Sequence, residues 1–202
     1  MKSVEPIRDL KTIKNMRAVL KSQSTRNELL FILGINVGLR ISDILKLKFG
    51  DIVNFKNMKV LDHVIIKEKK TGKTKKFYIG SIVKKLIENY IKELGEVSSE
   101  DYIFKSNKGE NKPISRQHAW FILNTAAEII GLVQRDEFGR IIQGEIGTHT
   151  MRKTFGYHAY KNGTSLELLM DIFNHSCKSE TLRYIGITEE EKRMVYLKSN
   201  LG

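Results

Sequence analysis

Four short stretches hold residues whose types and spacing suit a reaction. "GLRISD" places Arg40 three residues ahead of Asp43, and "THTMRKTF" places His149 three ahead of Arg152. "KEKKTGKTKK" packs six lysines into positions 67–76, with Lys70 just before Thr71-Gly72. "HSCKSETLRYIG" sets His175 nine residues ahead of Tyr184. Two arginines, two histidines, a lysine and a tyrosine form the set that phosphoryl transfer needs when no metal takes part. The transition state carries extra negative charge on its non-bridging oxygens. Guanidinium groups clamp such oxygens in pairs, and histidine donors complete the cradle. The reaction also needs a nucleophile in line with the scissile bond and an acid for the departing oxygen. Tyrosine, with a free pKa of about 10, is a reluctant nucleophile at neutral pH, and arginines beside it are expected to lower that value.

Each of these residues also has an ordinary reading. Arg40 and Asp43 at i,i+3 suit a surface ion pair on a helix. A lysine run is a solvated face, and most tyrosines pack with a satisfied hydroxyl. The composition of the whole chain weighs against these readings. Its 202 residues include 35 Lys and Arg against 23 Asp and Glu, a formal charge of +12. Such a surplus calls for a polyanionic partner, either nucleic acid or an anionic membrane surface. No apolar run is long enough to cross a bilayer, no signal-peptide core opens the chain, and the lysine stretch has no aromatics at its tip. Nucleic acid is the expected partner and a membrane is not. A single cysteine gives no intramolecular disulfide, which fits a reducing, cytoplasmic setting.

The elements that must position these residues follow from periodicity. "IRDLKTIKNMRAVLKSQ" and "STRNELLFILGINVG" read as helices, the second capped by Ser24 or Thr25 and closed by Gly38. "LRISDILKLKF" reads as a short third helix. "VLDHVIIKEKK" and "KTKKFYIG" flank Thr71-Gly72 and predict a hairpin that projects its lysines as a finger. Helices are expected from Ser81 to Gly95 and over "SRQHAWFILNTAAEIIG". "DEFGRIIQGEIG" is a turn-rich connection with some strand character, and "HTMRKTFGYHAYKNG" is a helix ending at Asn162-Gly163. Thr164 with Glu167, and Thr188 with Glu191, have capping-box spacing and announce two more helices. His175 is joined to Tyr184 by what reads as a turn. The fold class is α+β, mostly α: one helical domain over residues 1–202 with a small antiparallel hairpin.

In order and separation, "GLRISDILKLKFGDI", "KKTGKTKKFYIG", "THTMRKTFGYHAY" and "NHSCKSETLRYIG" resemble the catalytic boxes of tyrosine recombinases, the phage integrase family. The resemblance runs over nearly the whole chain. It implies that family's catalytic-domain fold and a role for each residue. Arg40 and Arg152 are then the phosphate clamp, Lys70 the general acid, His149 and His175 the family histidines, and Tyr184 the nucleophile, with Asp43 supporting the first arginine. Lys67, Lys69, Lys73, Lys75 and Lys76 are expected to contact DNA. The implied reaction cuts one strand to a 3′-phosphotyrosyl link, frees a 5′-hydroxyl, and rejoins to another strand, with no metal and no cofactor.

Further expectations come with the resemblance. The partners are recombination sites in duplex DNA and three more copies of the chain, assembled as a tetramer through the C-terminal segment 187–202. Arg40 lies too early in this sequence to leave room for the family's N-terminal DNA-clamping domain, as in a minimal stand-alone member or a fragment, and an accessory DNA-binding protein is a further expected partner. Asn174 stands where the family commonly has glycine, which predicts a stiffer turn before His175. Two neighbouring readings share the scaffold: a DNA-binding module or regulator with little catalysis, and a topoisomerase IB-like relaxase. A hydrolase or zinc site at Cys177 and His175 is disfavoured, because residues two apart do not share a face in a helix and no second cysteine is present.

Overall fold

The computed structural model describes residues 4–70, 72–147, 149–187 and 189–199. Helix α1 (Leu10–Gln23) begins at Asp9, whose carboxylate accepts the Thr12 amide, and ends at Ser24, which in turn caps α2 (Thr25–Val37). From Leu29 to Leu33 α2 is apolar without a break and sits at the centre, with Leu29, Leu30, Phe31 and Leu33 sealed from solvent. At Gly34 a β-carbon would stand 2.4 Å from the Met151 sulfur, so glycine is what lets a later helix cross here. α2 stops at Gly38, in the left-handed conformation at φ 61°.

Two one-turn helices, α3 (Ile41–Ile44) and α4 (Phe49–Ile52), lead into a short ladder of β1 (Val53–Asn54) and β2 (Lys59–Val60). The expected hairpin is β3 (His63–Lys67) paired antiparallel with β4 (Thr74–Tyr78), with Val64 opposite Phe77 and Ile66 opposite Lys75. Thr71, half of the expected turn, lies outside the described residues. α5 (Ser81–Leu94) buries Val83, Leu86, Ile87 and Tyr90 on one face. α6 (Arg116–Ile129) starts at Ser115 and buries a small-residue face. The turn-rich connection contains a two-stranded ladder, β5 (Gln134–Arg135) with β6 (Ile141–Gln143).

The last third carries α7 (Thr150–Lys161), α8 (Leu166–Phe173), α9 (Lys178–Ile185) and α10 (Glu189–Lys198). Ser165, one residue later than expected, is the cap of α8, its hydroxyl accepting the Leu168 amide. Thr188, the expected cap of the final helix, lies outside the described residues. The expected turn between His175 and Tyr184 is instead mostly helix: Cys177 begins α9 and Tyr184 lies in its last turn. The buried apolar side chains form two cores. The larger runs from Ile7 to Met151 and joins α1 to α6 with the start of α7. The smaller holds Leu169, Phe173 and Ile185, with Phe155 and Tyr184 packed against it.

Candidate active site

Arg40 precedes the first turn of α3, turned out of α2 by Gly38. Its Nη1 lies 2.8 Å from Glu68 Oε1 at the end of β3, close enough for charge attraction but not aligned as a hydrogen bond. Asp43 is buried, and its Oδ1 accepts the Lys69 amide at 3.1 Å. The surface ion pair between Arg40 and Asp43 is therefore not what these residues make. Both turn to the hairpin.

α7 brings the second arginine. Asn124, fully buried in α6, both donates to and accepts from the backbone of Ile146 and so fixes the loop that enters α7. His149 occupies the cap position and Arg152 the first turn. Arg152 is 2% exposed; it donates from Nη1 to the Gly38 carbonyl and from Nη2 to the Phe173 carbonyl at 2.9 Å, with its guanidinium over the Phe173 ring. A buried cation at the positive end of a helix dipole is unfavourable by itself. Arg40 adds to the repulsion on Arg152. An anion at this end would relieve all three effects.

α8 and α9 complete the site. Asn174 takes the left-handed conformation at φ 53°, which asparagine tolerates nearly as well as glycine. His175 Nδ1 lies 3.0 Å from Thr181 Oγ1, which holds its ring edge-on to Tyr184 at 4.9 Å. The Tyr184 hydroxyl is 3.0 Å from His149 Nδ1, and its ring also meets Phe173 and the Lys153 ammonium. Burial, with Arg152 and Arg40 beside them, holds both histidines below the ordinary imidazole value, so each is neutral at neutral pH. Burial also raises the Tyr184 hydroxyl, and the pull of Arg152 and Arg40 does not overcome it. The expected lowering of that pKa is thus reversed by desolvation, which the sequence does not display. His149 Nδ1 is the ring nitrogen that stands against this hydroxyl.

The hairpin lysines divide. Lys67, Lys69, Lys70, Lys73 and Lys76 are exposed. Lys69 and Lys70 border an open cleft with Arg40, Lys46, Arg116 and His149. Lys75 is turned inward, donating from Nζ to the Ile172 carbonyl at 2.6 Å. Glu68, Lys46 and Arg116 were not singled out by sequence, nor was the amide of Asn174, which donates to Glu68 Oε2 at 3.3 Å. Glu68 was hidden inside a charge run that reads as solvated. Among the described residues no cluster of three His, Cys, Asp or Glu could hold a metal ion, and Cys177 is exposed beside Ser179.

Comparison with known proteins fits this geometry. The profile described as "Phage integrase family" matches residues 8–191. "Probable integrase/recombinase YoeC" of Bacillus subtilis is 42% identical over 97% of both chains. "Tyrosine recombinase XerD" of Halalkalibacterium halodurans is 26% identical over 92% of this chain but only 59% of its own length. Among solved structures, the XerA recombinase superposes on the whole chain with a TM-score of 0.73 at 17% identity, and this chain covers 68% of it. The catalytic domain of bacteriophage HP1 integrase gives 0.58 at 14% identity, over 98% of this chain and 97% of that one. With three boxes bordering one cleft, the fourth joined to it through Tyr184 and His149, and a family profile spanning nearly all of the sequence, the chain belongs to the phage integrase family.

Proposed function

We propose that this protein is a site-specific DNA recombinase that breaks and rejoins duplex DNA through Tyr184. The observation that carries the reading is the Tyr184 hydroxyl set 3.0 Å from His149 Nδ1, in the field of Arg152 and Arg40. In the proposed step Tyr184 Oη attacks phosphorus and passes its proton to neutral His149. The bond from phosphorus to the 5′ oxygen breaks, and Lys70 protonates that oxygen. Arg40, Arg152 and His175 hold the non-bridging oxygens. One phosphodiester is exchanged for another, so no outside energy source is needed, and attack by a second strand's 5′-hydroxyl reverses the step.

Duplex DNA is the substrate that the +12 charge and the cationic cleft suit. Assembly of further copies through the final helix is supported by its exposed Met194, Val195, Tyr196 and Leu197. The test uses a random-sequence pool of nicked duplexes, from which adducts are captured on denaturing gels and mapped by peptide mass. Wild-type protein should yield a nucleotide on Tyr184, and Tyr184→Phe should bind DNA equally and give none. A packing tyrosine would lose at most a hydrogen bond of about 1 kcal/mol and keep any activity. A nucleotide on Tyr157, Tyr160 or Tyr196 would sink the assignment.

A further inference from the structure

Sheet geometry decides which hairpin lysines can reach outward. Side chains alternate along a strand, and Val64 and Phe77, paired across β3 and β4, are both buried. Lys75 lies two residues before Phe77 and shares its face, as Ile66 opposite it does. Its ammonium meets the carbonyl of Ile172, 97 residues on in the chain. Ile172 and Phe173 are the last two residues of α8. Their carbonyls lack partners within the helix and lie at the negative end of its dipole. They accept cations from two sides: Lys75 from the hairpin, and Arg152 from α7. The same turn holds the hairpin a second time, through Asn174 to Glu68. Arg152 and Arg40 face Lys75 as like charges, Glu68 and Asp43 as opposite ones. Burial, the largest influence, with those arginines brings its pKa down to about 8.

We propose that Lys75 is a positioning residue: its ammonium latches the turn end of the hairpin onto the last turn of α8 and so sets where Lys70 meets the departing oxygen. This rests on the reading of Lys70 as the acid. The latch sets Lys75 apart from the lysines beside it, which are exposed. A hairpin of five-residue strands, joined to the larger core mainly by Val64 and Phe77, has its far end defined by these ties.

Lys75→Met keeps the stem and removes the ammonium. On duplexes recovered from the random pool, its cleavage should fall about 10- to 100-fold. On the same duplexes with sulfur as the bridging 5′ atom it should fall less than about 3-fold, because a thiolate leaves without a proton. Without DNA, amide exchange at Glu68 and Gly72, which close the hairpin end, should quicken while α5 stays unchanged. Equal losses on both substrates overturn the proposal, as does unchanged exchange at Glu68 and Gly72. Lys70→Ala, measured in parallel, separates the two claims. If sulfur does not rescue Lys70→Ala, the acid reading fails and the latch is judged by exchange alone. If Lys70→Ala cuts normally while Lys75→Met is rescued, Lys75 is itself the acid and its positioning role is overturned.

Discussion

The two hydrophobic cores support different halves of the site. The larger core holds α2 and α3 and so fixes Arg40 and Asp43 on a broad packed base. The smaller core fully buries three side chains, Leu169, Phe173 and Ile185, yet it carries His175 and Tyr184. α7 belongs to both, through Met151 on one side and Phe155 on the other. Between those two residues lies Arg152, which donates to the end of α2 and to the end of α8. In the proposed reading the first clamp arginine stands on the larger core and the nucleophile on the smaller, with Arg152 as the joint between them; the smaller core is expected to open first.

Four measurements bear on that contrast. Phe173→Ala should have the largest effect, because the ring touches Arg152, His175, Tyr184 and Phe155. A loss of about 3–5 kcal/mol is expected, with amide exchange in α8 and α9 quickening well before that in α2. Equal quickening in α2 would show one cooperative unit where two cores are drawn. The two arginines should differ next. Arg152→Lys cannot span both carbonyls and should cost about 1.5–3 kcal/mol. Arg40→Lys, which leaves no carbonyl bare, should cost under about 1 kcal/mol. Adduct formation should fall by orders of magnitude in both. Matching thermal shifts would remove Arg152 from its place as the joint.

The histidines supply a pH arm. Both have native pKa values depressed below the ordinary 6.5, so the unfolded chain binds protons first as pH falls. Their share of stability is complete above that ordinary value and is lost as pH drops through the native ones. Replacing His149 and His175 together by Gln should flatten the stability curve between neutral pH and about pH 5 relative to wild type. An unchanged curve would mean that carboxylates govern acid unfolding. The smallest effect on the fold should come from Lys69, Lys73 and Lys76 changed together to Ala. The salt slope of duplex binding should drop by up to about 3, while stability moves within about 0.5 kcal/mol. An unchanged slope would turn the hairpin away from DNA.

How much of this was legible depended on whether a signal was local. Helix ends were, because Ser24 and Gly38 act within one turn. The six candidate positions are visible as types at spacings; Arg40, Lys70 and His149 border one cleft, and Tyr184 meets His149, His175 and the field of Arg152 behind it. The inward turn of Lys75 was also within reach, since it keeps step with Phe77, but five other lysines made the run read as a solvated face. α9 is harder to read because its eight residues span barely two turns, too short for a pattern to separate a helix from a turn. Glu68, the raised Tyr184 hydroxyl and the Asn174 amide depend on what is buried beside them. That information comes from other elements: the Asn174 to Glu68 contact spans 106 positions, and the Tyr184 to His149 contact 35.

The bond from Arg152 to the Gly38 carbonyl closes 114 residues of chain. During synthesis the amino-terminal helices leave the ribosome first, and long-range contacts of this kind form late. Arg40 is then already mounted, while Arg152, His175 and Tyr184 are still unmade or unplaced. In the proposed reading a half-made chain lacks the groups with which to cut. On that reading the order of the residues along the sequence is itself a safeguard, because strand-breaking chemistry has no nucleophile until residue 184 has been made.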